Sequence, residues 1–397
     1  MNDFINNIKG DRAIWLGIAI LAFFSFMPIY SASTNLVYVV KSASSPTAIL
    51  VKHAVLLILG FIILYMVHKI PYRYFSGGSV LMLPIVFVLL LFTLTQGKTI
   101  AGANASRWIN IPFVGIGFQT STLAGLVLMT YVARYLAKNK EKEINFKESL
   151  WLLWLPVAGI LGLILPANFS TTAILFAMIL VLTFIGGYPI KYLMYIIGIG
   201  ILSLTLFVLA AKAFPDAMPN RVDTWISRVE NFSDKNAEEA YQVEKAKIAI
   251  ATGGLTGLGP GKSVQKNFLP QSSSDFIYAI IVEEFGMVGG VGVVIVYLFL
   301  LFRIIMVAKK APTIFATLLV LGIGLPIIFR AMINIAVAIN LLPVTGQTLP
   351  LISSGGTSIW MTCFAVGMIL SVSSVKEAEE QELEHENPLN ILHEQIN

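Results

Sequence analysis

Charged side chains are scarce in this chain. Asp, Glu, Lys and Arg make up only 12% of its 397 residues, half of the roughly 25% usual in soluble domains, and 56% of the residues are hydrophobic. That balance excludes a water-soluble globule and points to an integral membrane protein. Cysteine is scarcer still: Cys363 is the only one, which excludes an intrachain disulfide and disfavours redox chemistry. The N-terminal segment has no small-residue cleavage site and its apolar run is long, so it reads as a first span rather than a removed signal peptide. No aromatic and basic pattern of the kind that binds nucleic acid is present. The formal net charge of +5 is read instead as topology and membrane-surface attraction.

What the chain does have is apolar runs of spanning length, about 17–25 residues each. They start near Ile14, Ala54, Val80, Thr122, Leu150, Thr171, Leu193, Phe276, Ile314 and Leu349, which predicts an all-α fold of about ten transmembrane helices. The stretch "LPANFSTT", with Pro166 and Asn168, divides one long run into two spans joined by a tight turn. Short cytoplasmic loops are enriched in Lys and Arg. With the N-terminus inside, fourteen such residues fall on inner segments against four, Lys41, Lys52, Lys98 and Arg107, on the short outer loops. Both termini are therefore expected in the cytoplasm. The polytopic domain is expected over 1–375, with an outer loop of about 214–275 between the seventh and eighth helices, and an acidic, mobile cytoplasmic tail over 376–397.

That outer loop is far longer than the ~12–15 residues at which a structureless connection becomes suspect. "DTWISRVENF" places Trp225, Val229 and Phe232 at helical spacing, and Ala240, Val243, Ala246, Lys247 and Ile250 line one face of a second segment that Gly253 and Gly254 are suited to end. Both read as amphipathic helices along the outer membrane surface. "GGLTGLGPGKSVQKNFLPQ" follows, too irregular for a helix and able to bring backbone amides close to a ligand. A nucleotide-binding phosphate loop does not fit, because Thr256 stands where GxxxxGK[ST] needs its first glycine.

Charges at membrane depth are costly and mark candidate sites. Here they are Asp275, Glu283, Glu284 and Arg330. The glutamates read either as partners of Lys or Arg that brace the bundle or, for Glu283, as a support behind Asp275. Asp275 reads either as a helix N-cap or as a reacting carboxylate. The outer face also gathers Arg107 and Trp108 from "GANASRWINIPF", Lys262, Gln265 and Lys266 from "GKSVQK", and Ser353 from "LPVTGQTLPLISSGGTS". Several cations, backbone amides and one carboxylate suit a lipid-linked pyrophosphate. Arg and Lys hold the anionic oxygens, and the carboxylate takes a proton from an attacking hydroxyl. This is the chemistry of glycosyl transfer from a lipid carrier. The competing readings are a transporter, which usually places its ionisable groups near the bilayer midplane on broken helices, and a non-catalytic scaffold.

The ordered segments "GANASRWI", "GGLTGLGPGKSVQKNFLPQSSSDFIYAIIVEEFG", "INIAVAINLLPVTG" and "LPLISSGGTS" resemble the SEDS family (shape, elongation, division and sporulation), and its division member more than its elongation member. The resemblance implies a peptidoglycan glycosyltransferase that polymerises lipid II onto glycan held on undecaprenyl pyrophosphate, at the outer face of the cytoplasmic (inner) membrane. The family's essential aspartate falls on Asp275, as general base or as ligand of a divalent cation, Mg2+ or Mn2+; no organic cofactor is implied. Arg107, Lys262, Lys266, Gln265 and Ser353 are the substrate-binding candidates, with Glu283 and Trp108 behind them. The implied partners are a class B penicillin-binding protein transpeptidase and other divisome proteins. This chain departs from the family pattern in Gln271, in Gln119–Thr122 where the family's acid is missing, in Gly117, and in Ala167–Thr172.

Overall fold

The computed structural model describes residues 9–38, 45–96, 108–110, 117–213, 232, 241–269 and 272–385. In chain order, α1 is Arg12–Tyr38, α2 Pro46–Val67, α3 Arg73–Gln96, α4 Thr120–Lys138, α5 Phe146–Ile164, α6 Phe169–Ile185 and α7 Ile190–Ala213. A shorter helix α8, Tyr241–Gly253, precedes α9 Ile277–Lys309, α10 Ile314–Ala338 and α11 Thr357–His385. Each of the ten expected apolar runs carries a helix. Among the described residues, α1, α2, α3, α5, α7, α9, α10 and α11 are long and apolar enough to cross a membrane. The helix α6 is apolar but has only 17 residues, and α4 is more polar.

Local chemistry explains the helix ends. Asn168 caps α6 by accepting from Thr171 N at 3.2 Å, so "LPANFSTT" is the expected turn. The helix α2 starts at Pro46 rather than near Ala54, because Ser45 accepts from Ala48 N at 3.2 Å and proline suits the first helical position. At the head of α5 one π-helical turn covers Leu150–Trp154. Pro156 has no N–H to offer the carbonyl four residues back, and the Tyr131 hydroxyl donates to that Leu152 carbonyl instead.

Two expectations are corrected. The last helix begins at Thr357, not near Leu349, because the chain turns through Leu351 (φ 65°) and Gly356 (φ 47°). It then continues through residue 376 to His385, since Glu, Ala, Gln and Lys are strong helix formers; 386–397 lie outside the described residues. The all-α expectation holds, with one short addition: β1, Trp108–Asn110, pairs antiparallel with β2, Gly117–Gln119.

Two apolar cores are built. One is drawn from α1, α2, α9, α10 and α11, and the other from α3 to α7 with Leu318 of α10. The helices α2 and α11 approach closely because a methyl at Gly60 would sit 2.9 Å from Cys363 Sγ, and one at Gly367 would sit 3.0 Å from Leu64 O. Small residues that let backbones meet are the usual currency of helix association in membranes.

The helix α9 is 33 residues long, ~50 Å if straight, against a hydrocarbon core of about 30 Å. It is broken at Gly286 (φ 67°, ψ −169°). The glycine loop after α8 closes over this break: Leu258 N and Gly259 N donate to Glu283 O and Glu284 O, both at 2.9 Å, and Met287 N donates to Gly254 O at 2.9 Å. A methyl at Gly257 (φ +80°) would lie 2.2 Å from Glu284 O, so no larger residue fits the crossing. The helix α8 was expected to lie along the membrane surface. One face of it packs on protein, with Ala246 and Ala249 in a small core beside Leu269, Phe276, Ala279 and Val337. The segment around Trp225 lies outside the described residues.

Candidate active site at the Asp275 turn

Asp275 belongs to a turn over 272–276 that leads into α9. It is not the helix cap: that position is Phe276, which offers no side-chain bond. The turn is pinned on three sides. Asn334 of α10, 1% exposed, donates to Asp275 O at 2.8 Å and to Gln347 O at 2.7 Å. Ser353 donates to Ser274 O at 2.6 Å, and Ser354 N donates to Ser273 O at 2.8 Å. Gln347 in turn reaches α6, donating to Thr171 Oγ1 at 3.1 Å. The chain around 350 is itself fastened to α9 by Tyr297, whose hydroxyl donates to Pro350 O at 2.5 Å. The carboxylate of Asp275 stands over Gly346 (φ +70°), where an added methyl would lie 3.5 Å from Oδ2. The backbone of a half-buried acid is thus held by donors from two distant parts of the chain, α10 and residues 353–354.

The hairpin reaches the same region. Thr357 Oγ1, at the start of α11, donates to Gly117 O at 3.2 Å and accepts from Gln119 N at 3.3 Å. Trp108, half-buried, pairs with Gln119 in this hairpin. Arg107 and Gln271 lie outside the described residues. Lys262 is exposed on the glycine loop.

Glu283, Glu284 and Lys266 form a separate knot at the break in α9, eight and nine residues past Asp275. Glu283 is fully buried and accepts from Ser263 Oγ, from Val264 N at 3.0 Å and from Gln265 N at 3.2 Å. Glu284 accepts from the Ser31 hydroxyl of α1 and from Ser263 N at 3.3 Å. Lys266, 9% exposed, donates to Ser31 Oγ at 3.0 Å and to Gly261 O at 2.8 Å. The bracing reading of the two glutamates holds, with serine and backbone amides as the direct partners. Lys266, Gln265 through its backbone amide, and Ser353 (2% exposed) are engaged in holding loops. Lys262 is the described cation candidate left on the surface.

Among the described residues no three His, Cys, Asp or Glu side chains gather to hold a metal. A cage made by protein alone is therefore not built there. Mg2+ is commonly held by one or two carboxylates, with substrate phosphates and waters completing the shell, and Asp275 fits that donor set. Sequence reasoning missed Asn334, Gln347 and Thr171. The only signal was a polar residue inside an apolar helix, which names a candidate without naming its partner.

A bundle of membrane-spanning length, with one carboxylate turn clamped where α9, α10 and α11 meet, defines a polytopic helical membrane protein. The chain belongs to the FtsW/RodA/SpoVE family of cell cycle proteins, whose model matches residues 11–378. It is 30% identical over 366 residues to a protein named probable peptidoglycan glycosyltransferase FtsW from Halomonas elongata, covering 90% of this chain and 89% of that one. The protein of the same name from Escherichia coli is 32% identical over 372 residues, 92% of this chain and 86% of its own. Among solved structures, the fold is similar to a chain described under "Structural coordination of polymerization and crosslinking by a peptidoglycan synthase complex", with TM-score 0.69, 24% identity, and 92% and 97% of the two chains covered. It is also similar to the Thermus thermophilus rod shape determining protein RodA, with TM-score 0.65, 24% identity, and 92% and 96% covered.

Proposed function

We propose that this protein is a peptidoglycan glycosyltransferase that polymerises lipid II into glycan strands for the septal wall during division. The observation that carries the reading is the clamped Asp275 turn, in a chain whose relatives bear that activity in their names. Ten helices would cross the inner membrane with both termini in the cytoplasm and the Asp275 turn facing outward, an orientation supported by the excess of Lys and Arg on the inner segments.

In the reaction the C4 hydroxyl of lipid II attacks the anomeric carbon of a strand held on undecaprenyl pyrophosphate. The new C–O bond forms as the bond from that carbon to the diphosphate breaks, its electron pair leaves on the diphosphate, and the hydroxyl proton passes to Asp275. The configuration at the anomeric carbon inverts. The clamps on residues 273–275 serve this step by fixing the base before substrate arrives, which spares reorganisation at the moment of reaction. Lys262 and Arg107 are the cations assigned to substrate phosphates. A divalent cation, Mg2+ or Mn2+, held by Asp275 and those phosphates would supply neutralisation of the leaving diphosphate. A class B penicillin-binding protein and other divisome proteins are the proposed partners.

The test is polymerisation of labelled lipid II by purified protein with its partner transpeptidase and a divalent cation. Asp275→Ala and Asp275→Asn are expected to make no polymer while still folding and binding lipid II. Full polymer from both variants would remove Asp275 from the chemistry, and none from the wild type would favour a flippase or a scaffold.

A further inference from the structure

Arg330 is a charge that the site as described does not use. It lies on α10, eight residues before the helix ends at Ala338, which is ~12 Å along the axis. Among the described residues its guanidinium makes no hydrogen bond and no ion pair, although such a group carries five donors; the ion pairs found are Lys245 with Glu244 and Arg303 with Asp11. It lines a cavity of about 40 Å³ together with Thr122, Gly125, Leu175, Pro326 and Thr362. No carboxylate lines that space. A methyl at Gly125 would lie 3.9 Å from Arg330 Nη2, in ordinary contact with it, so this position on α4 borders the guanidinium.

The same face of α10 leads to the Asp275 turn. Asn334, one helical turn further along the same face of α10, is the residue that holds Asp275 O, and its own Oδ1 is buried without a partner. That oxygen is an acceptor and does not itself bind an anion, but the spacing places Arg330 one helical turn from the residue that holds the Asp275 turn. A cation within a membrane-spanning segment normally faces a partner or a pathway. No acidic side chain among the described residues meets it, which leaves the guanidinium open to an anion from outside them.

We propose that Arg330 is an anion-binding residue that receives the phosphate oxygens of a diphosphate beneath Asp275, in the cavity between α4, α6, α10 and α11. The cavity has room for a small phosphate group and not for a sugar. A planar guanidinium matches phosphate geometry with two parallel donors, and Thr122 and Thr362 put hydroxyl-bearing side chains on the same wall. This inference rests on the reading of the protein as acting on a lipid-linked diphosphate. It moves the anion-holding role from Lys266, which is committed to Ser31 and Gly261, to a residue in the bundle interior.

The experiment measures thermal stabilisation and native-mass binding of the full chain in nanodiscs. The probes are undecaprenyl diphosphate and inorganic pyrophosphate, and the proteins are wild type, Arg330→Gln, Arg330→Lys and Gly125→Ala. Arg330→Gln is expected to weaken diphosphate binding roughly 10- to 100-fold without lowering the melting temperature of the unliganded protein, because the guanidinium has no internal partner to lose. Arg330→Lys retains part of the binding, and Gly125→Ala, which narrows the cavity, loses part. An Arg330-dependent signal with the lipid probe identifies the lipid as the source of the anion; one with inorganic pyrophosphate alone identifies the free ion. Equal binding of both probes by wild type and Arg330→Gln overturns the proposal, as does a melting temperature that falls in Arg330→Gln with binding unchanged. Arg330-dependent binding in a wild type that makes no glycan would retain the anion site and reject the polymerase reading.

Discussion

Asn334 makes the position of Asp275 depend on α10, and its replacement is the most direct probe of the clamp. Its one amide nitrogen serves two carbonyls, Asp275 O at 2.8 Å and Gln347 O at 2.7 Å, in a residue 1% exposed. In Asn334→Ala both carbonyls lose this donor. An unsatisfied buried acceptor costs about 1–3 kcal/mol, so the pair sets a range of ~2–6 kcal/mol, drawn toward its lower half where water enters the vacated space. A shift of about 1 Å in the turn is enough for a roughly 100-fold loss of rate. Asn334→Asp is the sharper variant: an ionised carboxylate of nearly the same shape has no proton to donate and faces two carbonyl oxygens, so it is expected to fall at least as far. The assay pairs thermal unfolding in nanodiscs with single-turnover glycan formation at saturating lipid II. Loss in the chemical step, with lipid II binding retained, is the expected pattern. If both variants stay within about 0.5 kcal/mol of the wild type, the scatter of ordinary surface changes, and form glycan at its rate, Asn334 does not position Asp275.

Two further perturbations address the glycine crossing. Glu283→Ala leaves Ser263 Oγ, Val264 N and Gln265 N without their shared acceptor and should cost about 3 kcal/mol or more, whereas Glu283→Gln keeps an acceptor oxygen and should cost about 1 kcal/mol; differential scanning of the two variants checks this. Loss of polymerisation in Glu283→Gln at an unchanged melting temperature would instead give Glu283 a part in the reaction. Gly257→Ala forces a methyl to 2.2 Å from Glu284 O at φ +80°, and fluorescence-detected size exclusion should show a sharp drop in monodisperse protein; a wild-type profile would mean that the loop lies elsewhere.

The helical plan was legible because apolar runs of spanning length are a one-dimensional signal. The start of α11 was misjudged for the same reason: Leu349, Leu351 and Ile352 are apolar and buried, but they fill the turn beneath residues 273–275 rather than a helix. The hairpin's two strands have three residues each, too few to show a period of two. Lys266 looked like a surface phosphate ligand because a lysine beside glycines usually is exposed. What buries it is Ser31, 235 residues away, and no local pattern links the two. Asp275 was found through its motif, while its supports come from three separate stretches: Asn334 donates to the Asp275 and Gln347 carbonyls, and Gln347 donates to the Thr171 hydroxyl oxygen, links that no local pattern announces.

Between Gly254 and Gly259 the glycine loop crosses α9 by main-chain bonds. The side chains of that stretch stay outside the crossing: Leu255 is 76% exposed and Leu258 37%. A segment fastened in this way separates two kinds of inheritance. The glycines are held by geometry and change only with loss of the crossing, whereas the residues between them are free to drift from lineage to lineage without disturbing the helix they lie upon. In a saturation library selected only for folded protein, Gly257 and Gly286 should stay invariant while Leu255 and Thr256 diversify. Any restriction seen at those two positions under selection for growth would then measure demands placed on the loop by something other than the fold.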